Sequence, residues 1–404
     1  VRRLRDDSRY EVIGVGRRPL DDALYRSIDL AAPDAGARLD ALGFVPDVIV
    51  HAAARSSPWG TKAEFERDNV QVTRTILDFA HRAGTAAARP EVAGADGATT
   101  ERAPSRALQT ASGSGASESG SGTTAPRAAA SGTVAASAAS RAAASGTVAE
   151  SAAPRAAASG TAARAEAAPA APAAPAAAAA RTTEPRVVFV STASVLYRAA
   201  DQLDVADDAL VPRPFVNDYA ASKFAAEHLV RAYPGEWTVL RPRAVFGPGD
   251  TTVFPRVLAA AERGRLPEFR ATVLSDLIYI DTLVDYLERA LTAPGVPGQT
   301  ITLTNGEPVD LQTTVRALLL RAGVPLPRRR VSRRGALWAA TAVEGLWRLA
   351  RRAGEPPITR YSVIVYAYSK TFDPALCRRL LGVPSVTVAD GLERYAKTLD
   401  ERLR

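Results

Sequence analysis

Short runs of β-branched and apolar residues, alternating with helix-spaced segments, limit this chain more than any other feature. "YEVIGVG" (Tyr10 to Gly16), "PDVIVHAAA" (Pro46 to Ala54), "RVVFVSTASV" (Arg186 to Val195) and "WTVLRPRAVFG" (Trp237 to Gly247) read as buried strands, and "YRSIDL" (Tyr25 to Leu30) as a short one. Between them, "EFERDNVQVTRTILDFAHRAG" spaces Val70, Ile76, Leu77 and Phe79 for a helix, and "DYAASKFAAEHLVRAY" does so with Phe224, Leu229 and Val230. Strands buried on both faces and separated by helices build a parallel sheet, so the expected class is α/β, a doubly wound Rossmann-like sheet.

A composition break interrupts that alternation near Thr85 and ends near Arg186. The tract between is Ala/Ser/Gly/Pro-rich and repeats itself with a period of fourteen: "RAAASGTVA" begins at Arg127 and Arg141, and "RAAASGTAA" at Arg155. Such a stretch buries too little apolar surface to offset chain entropy, so disorder is expected over residues 85–185. The division is then 1–84, the first part of a dinucleotide-binding domain; 186–255, its catalytic part; and 256–404, mainly a smaller substrate lobe. The tract joins a helix end to a strand start, so it should leave from the sheet edge opposite the one that binds ligands. Removing it is expected to leave activity and melting temperature nearly unchanged.

The net charge of +8 comes from 51 basic against 43 acidic residues, but only Lys62, Lys223, Lys370 and Lys397 are lysines. The densest basic cluster, "RRRVSRRG" (Arg328 to Gly335), contains no aromatic residue, which argues against nucleic-acid binding. A single cysteine, Cys377, excludes an intrachain disulfide framework and makes a cytoplasmic location the default. His51, His81 and His228 show no metal-ligand spacing, so no metal is expected. No run of about 18 uncharged apolar residues marks a membrane span.

Tyr219 and Lys223 lie one helical turn apart and project from one face. A phenol titrates near 10 in water, too high for acid–base work at neutral pH, and a nearby ammonium lowers that value. The pair could therefore hand a proton to a carbonyl oxygen as hydride arrives. "STAS" (Ser191 to Ser194) ends a buried strand upstream and offers a hydroxyl for the same oxygen. A second pair, Tyr366 and Lys370, follows the β-branched run "YSVIVYAY", reads as strand, and is taken as coincidence.

"DVIVHAAA", "DNVQVTRTIL", "VVFVSTASV", "YAASK", "LRPRAVFGPGD" and "LIYIDTLVD" together resemble an extended short-chain dehydrogenase/reductase of the NAD-dependent epimerase/dehydratase family. "HAAARSSPWG", "STASVLYRA", "ITLTNGEP" and "PPITRYSV" are similar to its 3β-hydroxysteroid dehydrogenase-like branch, nearest the 2-alkyl-3-oxoalkanoate reductases. The resemblance implies an oxidoreductase acting between 3-oxo and 3-hydroxy groups of an apolar substrate. It implies Tyr219 as general acid/base, Lys223 as its tuner and ribose contact, and Thr192, with Ser191 as fallback, as the carbonyl-binding hydroxyl. Ala52, Ala53 and Ala54 would let the cofactor approach, Pro242 would abut its nicotinamide, and Asp29, Leu30 and Asn69 complete the cofactor set. Arg17 and Arg18, at the end of a strand where an acidic residue would favour NAD, favour NADP(H).

The glycine-rich phosphate loop of that family has no counterpart before "YEVIGVG". The sheet is therefore expected to lack its first strand, with a slot between the strands at Glu11 and Pro46, and the chain, which opens on Val1, to continue from an upstream strand and loop. Two other readings stay open: a sugar-nucleotide epimerase or dehydratase, and a binding protein that keeps the fold. "ALWAATAVEGLWRLARRAG" (Ala336 to Gly354) is amphipathic. It suits either a core-facing helix or a lid at a lipid-like substrate, compatible with peripheral membrane association; a homodimer is equally compatible.

Overall fold

A computed structural model describes residues 2–87, 105–110 and 184–403. Its strands in chain order are β1 (Tyr10–Gly16), β2 (Tyr25–Ser27), β3 (Val48–His51), β4 (Ser105–Thr110), β5 (Arg186–Val190), β6 (Gln202–Val205), β7 (Trp237–Pro242), β8 (Val245–Phe246), β9 (Leu274–Ser275), β10 (Ile278–Tyr279), β11 (Thr300–Leu303), β12 (Val309–Asp310) and β13 (Lys370–Phe372). Seven form one sheet in the order β11-β7-β5-β3-β4-β1-β2, parallel throughout.

Strand periodicity sorts the core into layers. In β5, Val187 packs with Ile49, Ile76 and Phe79, whereas Val188 packs on the opposite face with Val12, Leu240 and Ile301. The helices Val72–Ala87 and Asp218–Arg231 cover the first face, and Ile280–Thr292 and Ala375–Leu381 the second. Each fully buried Val, Ile, Leu or Phe contributes about 1.5–3 kcal/mol of transfer free energy. This layering makes both sheet faces dry and leaves only the strand ends for a ligand.

The tract departs from the expectation of uniform disorder. Ser105–Thr110 forms β4, which fills the slot between β1 and β3. Tyr10 pairs with Ser105 and Val15 with Thr110 on one side, and Val48 with Ala107 and His51 with Thr110 on the other. The physical reason is backbone hydrogen bonding: an empty slot would face β1 and β3 with unmatched N–H and C=O groups, each costing about 1–3 kcal/mol when buried. The slot selects a strand of low β-propensity over none. The fourteen-residue repeats lie outside the described residues. Contacts group residues 1–117 with 181–404 in one unit and residues 118–180 in another, the latter also outside the described residues.

The C-terminal lobe carries a second sheet, β12-β9-β13-β6, and the β8–β10 pair. One expectation fails here and another holds only in part. "RYSVIVYA" is the helix Arg360–Ala367, not a strand, because a capping box between Thr359 and Ser362 starts a helix that outweighs β-branched propensity. The helix Arg333–Leu349 faces the core through Ala336, Ala340 and, partly buried, Leu337, and leaves Trp338, Leu346 and Leu349 mostly exposed, so most of its large apolar residues lie off its core face. Among the described residues, no helix is long and apolar enough to cross a membrane.

Candidate active site

The carboxyl ends of β3, β5 and β7 bring the site together. Asn217 caps the helix Asp218–Arg231 by accepting from the Ala220 amide, which places Tyr219 in the first turn and Lys223 in the second. Tyr219 is 9% exposed and Lys223 is 2% exposed. After β5, Thr192 caps the short 3-10 turn Ala193–Leu196: its Oγ1 accepts from the Ser194 amide at 3.2 Å and lies 2.8 Å from Ser194 Oγ. The same Thr192 hydroxyl, with that of Ser56, is within hydrogen-bonding reach of the Tyr219 phenol. One hydroxyl thus both caps the turn and faces the phenol.

Ser191, the fallback, belongs elsewhere. Its Oγ donates to Glu227 Oε1 at 2.6 Å, and Glu227 also receives Arg241 Nε at 2.9 Å and Arg231 Nη2 at 2.8 Å. That buried cluster ties the helix to β5 and β7 and engages the Ser191 hydroxyl. The second Tyr–Lys pair does not form a pair. Tyr366 packs on Phe269, ring centroids 6.0 Å apart, whereas Lys370 Nζ donates to the Ala200 carbonyl at 2.6 Å.

Lys223 differs from expectation in one respect. Its Nζ donates to the Val190 carbonyl at 2.6 Å and lies 4.1 Å from the Phe189 ring centroid. Burial lowers the ammonium to about 7. Burial also raises the Tyr219 phenol to about 12, with Tyr361 adding to the rise and Ser56 and Thr192 opposing it; Lys223 is not among the groups that shift it. Burial penalises the charged form of both groups, in opposite directions for an acid and a base.

The cofactor candidates divide. Arg17 and Arg18 stand exposed immediately after β1, and Asp29 stands exposed after β2, with its Oδ1 accepting from the Ala31 amide. Ala52, Ala53 and Ala54 are half-buried beyond β3, and Pro242 ends β7. Leu30, only 4% exposed, places its side chain in the core beside Val15 and Leu39, so only its backbone could meet a cofactor. Asn69 lies in a π-helical turn, Glu66–Gln71, with its Oδ1 accepting from the Arg55 amide at 2.6 Å and its Nδ2 donating to Ser222 Oγ at 2.8 Å. Its side chain is spent on bracing the 52–61 loop, so it is a positioning residue. The donor set at the adenosine and nicotinamide ends fits a dinucleotide; the segment after Thr110, where β4 ends beside His51, is outside the described residues.

Three site residues were not singled out from sequence: Ser56, Ser194 and Tyr361. Tyr361 comes from the C-terminal lobe, hydrogen-bonds Ser194, and stacks on Tyr197 with ring centroids 6.5 Å apart. Each sits inside a motif that carries the family resemblance, and that was the only signal for them.

Comparison with known proteins accords with this geometry. Residues 136–303 match the model of the NAD dependent epimerase/dehydratase family. A 2-alkyl-3-oxoalkanoate reductase from Stenotrophomonas maltophilia (strain K279a) is 34% identical over 220 residues, covering 52% of this chain and 67% of that protein. The chain belongs to the NAD-dependent epimerase/dehydratase family. The 3beta-hydroxysteroid-dehydrogenase/decarboxylase isoform 1 of Arabidopsis thaliana is 28% identical over 227 residues, covering 52% of this chain and 52% of that protein. The crystal structure of UDP-glucuronic acid 4-epimerase from Bacillus cereus in complex with NAD shares the fold, with a TM-score of 0.55 and 15% identity over 100% of this chain and 94% of that one. The family's relatives named here are oxidoreductases by sequence and an epimerase by fold.

Proposed function

We propose that the protein interconverts a 3-oxo and a 3-hydroxy group on an apolar substrate, using NADP(H). The observation that carries this reading is the convergence of the Tyr219 and Thr192 hydroxyls at the carboxyl edge of the sheet, with Lys223 one turn away. A nicotinamide dinucleotide supplies or accepts the hydride when bound. Arg17, Arg18 and Asp29 would hold its adenosine end, and Ala52 to Ala54, Pro242 and Lys223 its nicotinamide end. Arginine at a strand end suits a 2′-phosphate, which is why NADP(H) is preferred to NAD.

In reduction, Thr192 Oγ1 donates a hydrogen bond to the substrate carbonyl oxygen, and Tyr219 gives that oxygen its proton as charge develops. Ser56 then supports the phenolate through the hydrogen bond it shares with Tyr219. Phe65, buried with its ring centroid 6.1 Å from that of Tyr219, would help to keep water from the transferred proton. The epimerase alternative has less support, because Ala244, in "RPRAVFGP", has no side-chain donor for a sugar-nucleotide diphosphate.

NADPH oxidation should be measured against 2-alkyl-3-oxo acids, 3-oxosterols and UDP-sugars, with NADH in parallel. Turnover is expected with the 3-oxo compounds, faster with NADPH, and not with UDP-sugars. Tyr219→Phe should lose about 10²–10⁴ in kcat, the usual contribution of a general acid, and Tyr366→Phe should lose none. A Tyr219→Phe rate within tenfold of the parent overturns the assignment.

A further inference from the structure

On the helix Arg333–Leu349, Trp338, Leu346 and Leu349 are 77%, 65% and 81% exposed. With Thr341, Ala342 and Gly345 they follow one another at helical spacing, and all six face solvent. The Thr341 hydroxyl donates to the Leu337 carbonyl at 2.8 Å, which turns it back on the helix's own backbone. Beside the stripe, Val343, Leu346, Trp347, Pro357 and Arg352 line an open, mainly apolar cleft of about 450 Å³. Single exposed leucines are ordinary, but a contiguous stripe with a tryptophan marks a surface that meets a partner or a membrane.

The charge around the stripe has one sign. Residues 328–360 hold nine arginines against Glu344 and Glu355, or +7 of the chain's net +8. Two of these arginines are paired elsewhere, Arg330 with Glu268 at 2.9 Å and Arg333 with Asp201 at 2.7 Å. Both glutamates are engaged too: Glu355 pairs with Arg256 at 2.7 Å, and Glu344 accepts from the Arg360 amide at 2.7 Å. Arg334, one turn before Trp338, and Arg348, Arg351 and Arg352, at the other end, are exposed, and among the described residues none of the four pairs with a carboxylate. Arg348 and Arg352 instead stand over the Trp59 and Trp347 rings, 4.8 and 5.1 Å from the centroids. This charge selects an anionic occupant. A second copy of the chain on a two-fold axis would set the arginines against each other. The chain's own tract matches no better, because residues 118–180 carry four arginines against three glutamates and no apolar side chain larger than valine.

We propose that this face docks the protein on an anionic lipid bilayer. The helix Arg333–Leu349 lies in the plane of the interface, with Trp338, Leu346 and Leu349 among the acyl chains and Arg334, Arg348, Arg351 and Arg352 at the headgroups. The docked face adjoins the catalytic loop: Trp59, under Arg348, lies three residues after Ser56, whose hydroxyl reaches the Tyr219 phenol. Through the Arg360 amide, Glu344 also holds the start of the helix that carries Tyr361. Docking would therefore bring a bilayer-dissolved apolar substrate to the loop beside Tyr219.

The test titrates the full chain with vesicles of phosphatidylcholine alone and of phosphatidylcholine with about one part in four of phosphatidylserine, and reads partition by flotation. Neither substrate nor cofactor is present, so the outcome stands apart from the oxidoreductase reading. The parent should bind the anionic vesicles at least about 100-fold more tightly than the neutral ones, and raising the salt should remove that preference. The triple variant Arg334→Gln, Arg351→Gln, Arg352→Gln should lose about 100-fold on anionic vesicles, at about fivefold per charge. The double variant Trp338→Ser, Leu349→Ser should lose at least about tenfold, and Trp338→Phe should keep most of the binding. All five positions are exposed, so both multiple variants should melt with the parent. Equal partition to the two vesicle types, binding to neither, or no change in either multiple variant overturns the proposal. So does a lipid-free parent that sediments as a dimer while the serine variant sediments as a monomer, which would assign the face to a second copy. Should the serine variant not fold, quenching of the parent's tryptophan emission by lipids with brominated acyl chains reads the apolar contact instead, and absence of quenching overturns it.

Discussion

His51 ends β3 with its ring wholly buried, 3.0 Å from Thr73 Oγ1 through Nε2 and against Phe189. Burial, helped by the charge of Lys223, lowers it to about 3. The unfolded chain takes a proton on this residue below about 6.5, whereas the folded chain does not until about 3. Stability must therefore fall as pH drops through that window, because the unfolded state binds the extra proton. Urea unfolding at pH 7 and pH 4.5 should show the parent losing about 2–3 kcal/mol more than His51→Asn, two pH units at 1.36 kcal/mol each. Equal losses would mean that the folded ring is also protonated. The residue scale is where the sequence was most informative about identity and least about role. Tyr219, Lys223 and Thr192 stand at one strand edge, as their motifs imply. That Ser191 serves Glu227, and that Asn69 braces a loop, depends on neighbours from distant segments that no local pattern names.

At the scale of elements, one carboxylate, Glu227, joins the helix Asp218–Arg231 to both β5 and β7, beside the Lys223–Val190 bond and the packing of Ala226 and Val230. Burial alone would raise Glu227, but the hydrogen bonds and charge of Arg241 outweigh it and hold Glu227 below the usual carboxylate range. Glu227→Gln keeps the shape and strands the buried Arg241 charge, a change that costs about 3–5 kcal/mol in comparable buried pairs. Ser191→Ala removes only a hydroxyl from the same cluster and should cost about 1 kcal/mol. Chemical denaturation of both variants checks the ranking, and a Glu227→Gln loss below that of Ser191→Ala would show that the cluster does not hold the helix. The elements legible in sequence were those whose side-chain period agrees with their backbone: β1, β3, β5, β7 and this helix. The helix Arg360–Ala367 was not, because its capping box competes with a run of β-branched residues that points to a strand. Arg333–Leu349 was half legible: its period was visible, but Ala336 and Ala340, flanked by Leu337, make the buried stripe, while Trp338, Leu346 and Leu349 stay exposed.

For the molecule as a whole, sheet continuity passes through β4. β1 and β2 reach β3 only across it in the hydrogen-bonded order, although Arg3 also pairs with Asp285 and Leu4 and Val12 join the second core layer. No sequence pattern marks "SRALQT" as a strand; its place follows from the vacancy that two unpaired neighbours create, a property of the assembled sheet. The earlier expectation that residues 86–183 are dispensable therefore changes. Chain closure is not the obstacle, because the helix end already meets the strand start. A Cβ on Gly84 would fall 2.7 Å from Glu184 Cα, and His81 Nδ1 lies 2.6 Å from Glu184 Oε1. A chain joined from residue 85 to residue 184 should thus fold with β1 and β3 facing an empty slot. Several unpaired backbone groups at about 1–3 kcal/mol each should lower its melting temperature by at least about 5 °C. Leu108→Pro in the intact chain removes one ladder N–H from the same slot and should shift melting in the same direction by less. If the excised chain melts at the parent temperature and Leu108→Pro changes nothing, β4 carries no share of the stability, and the two halves of the sheet are held by their helices alone.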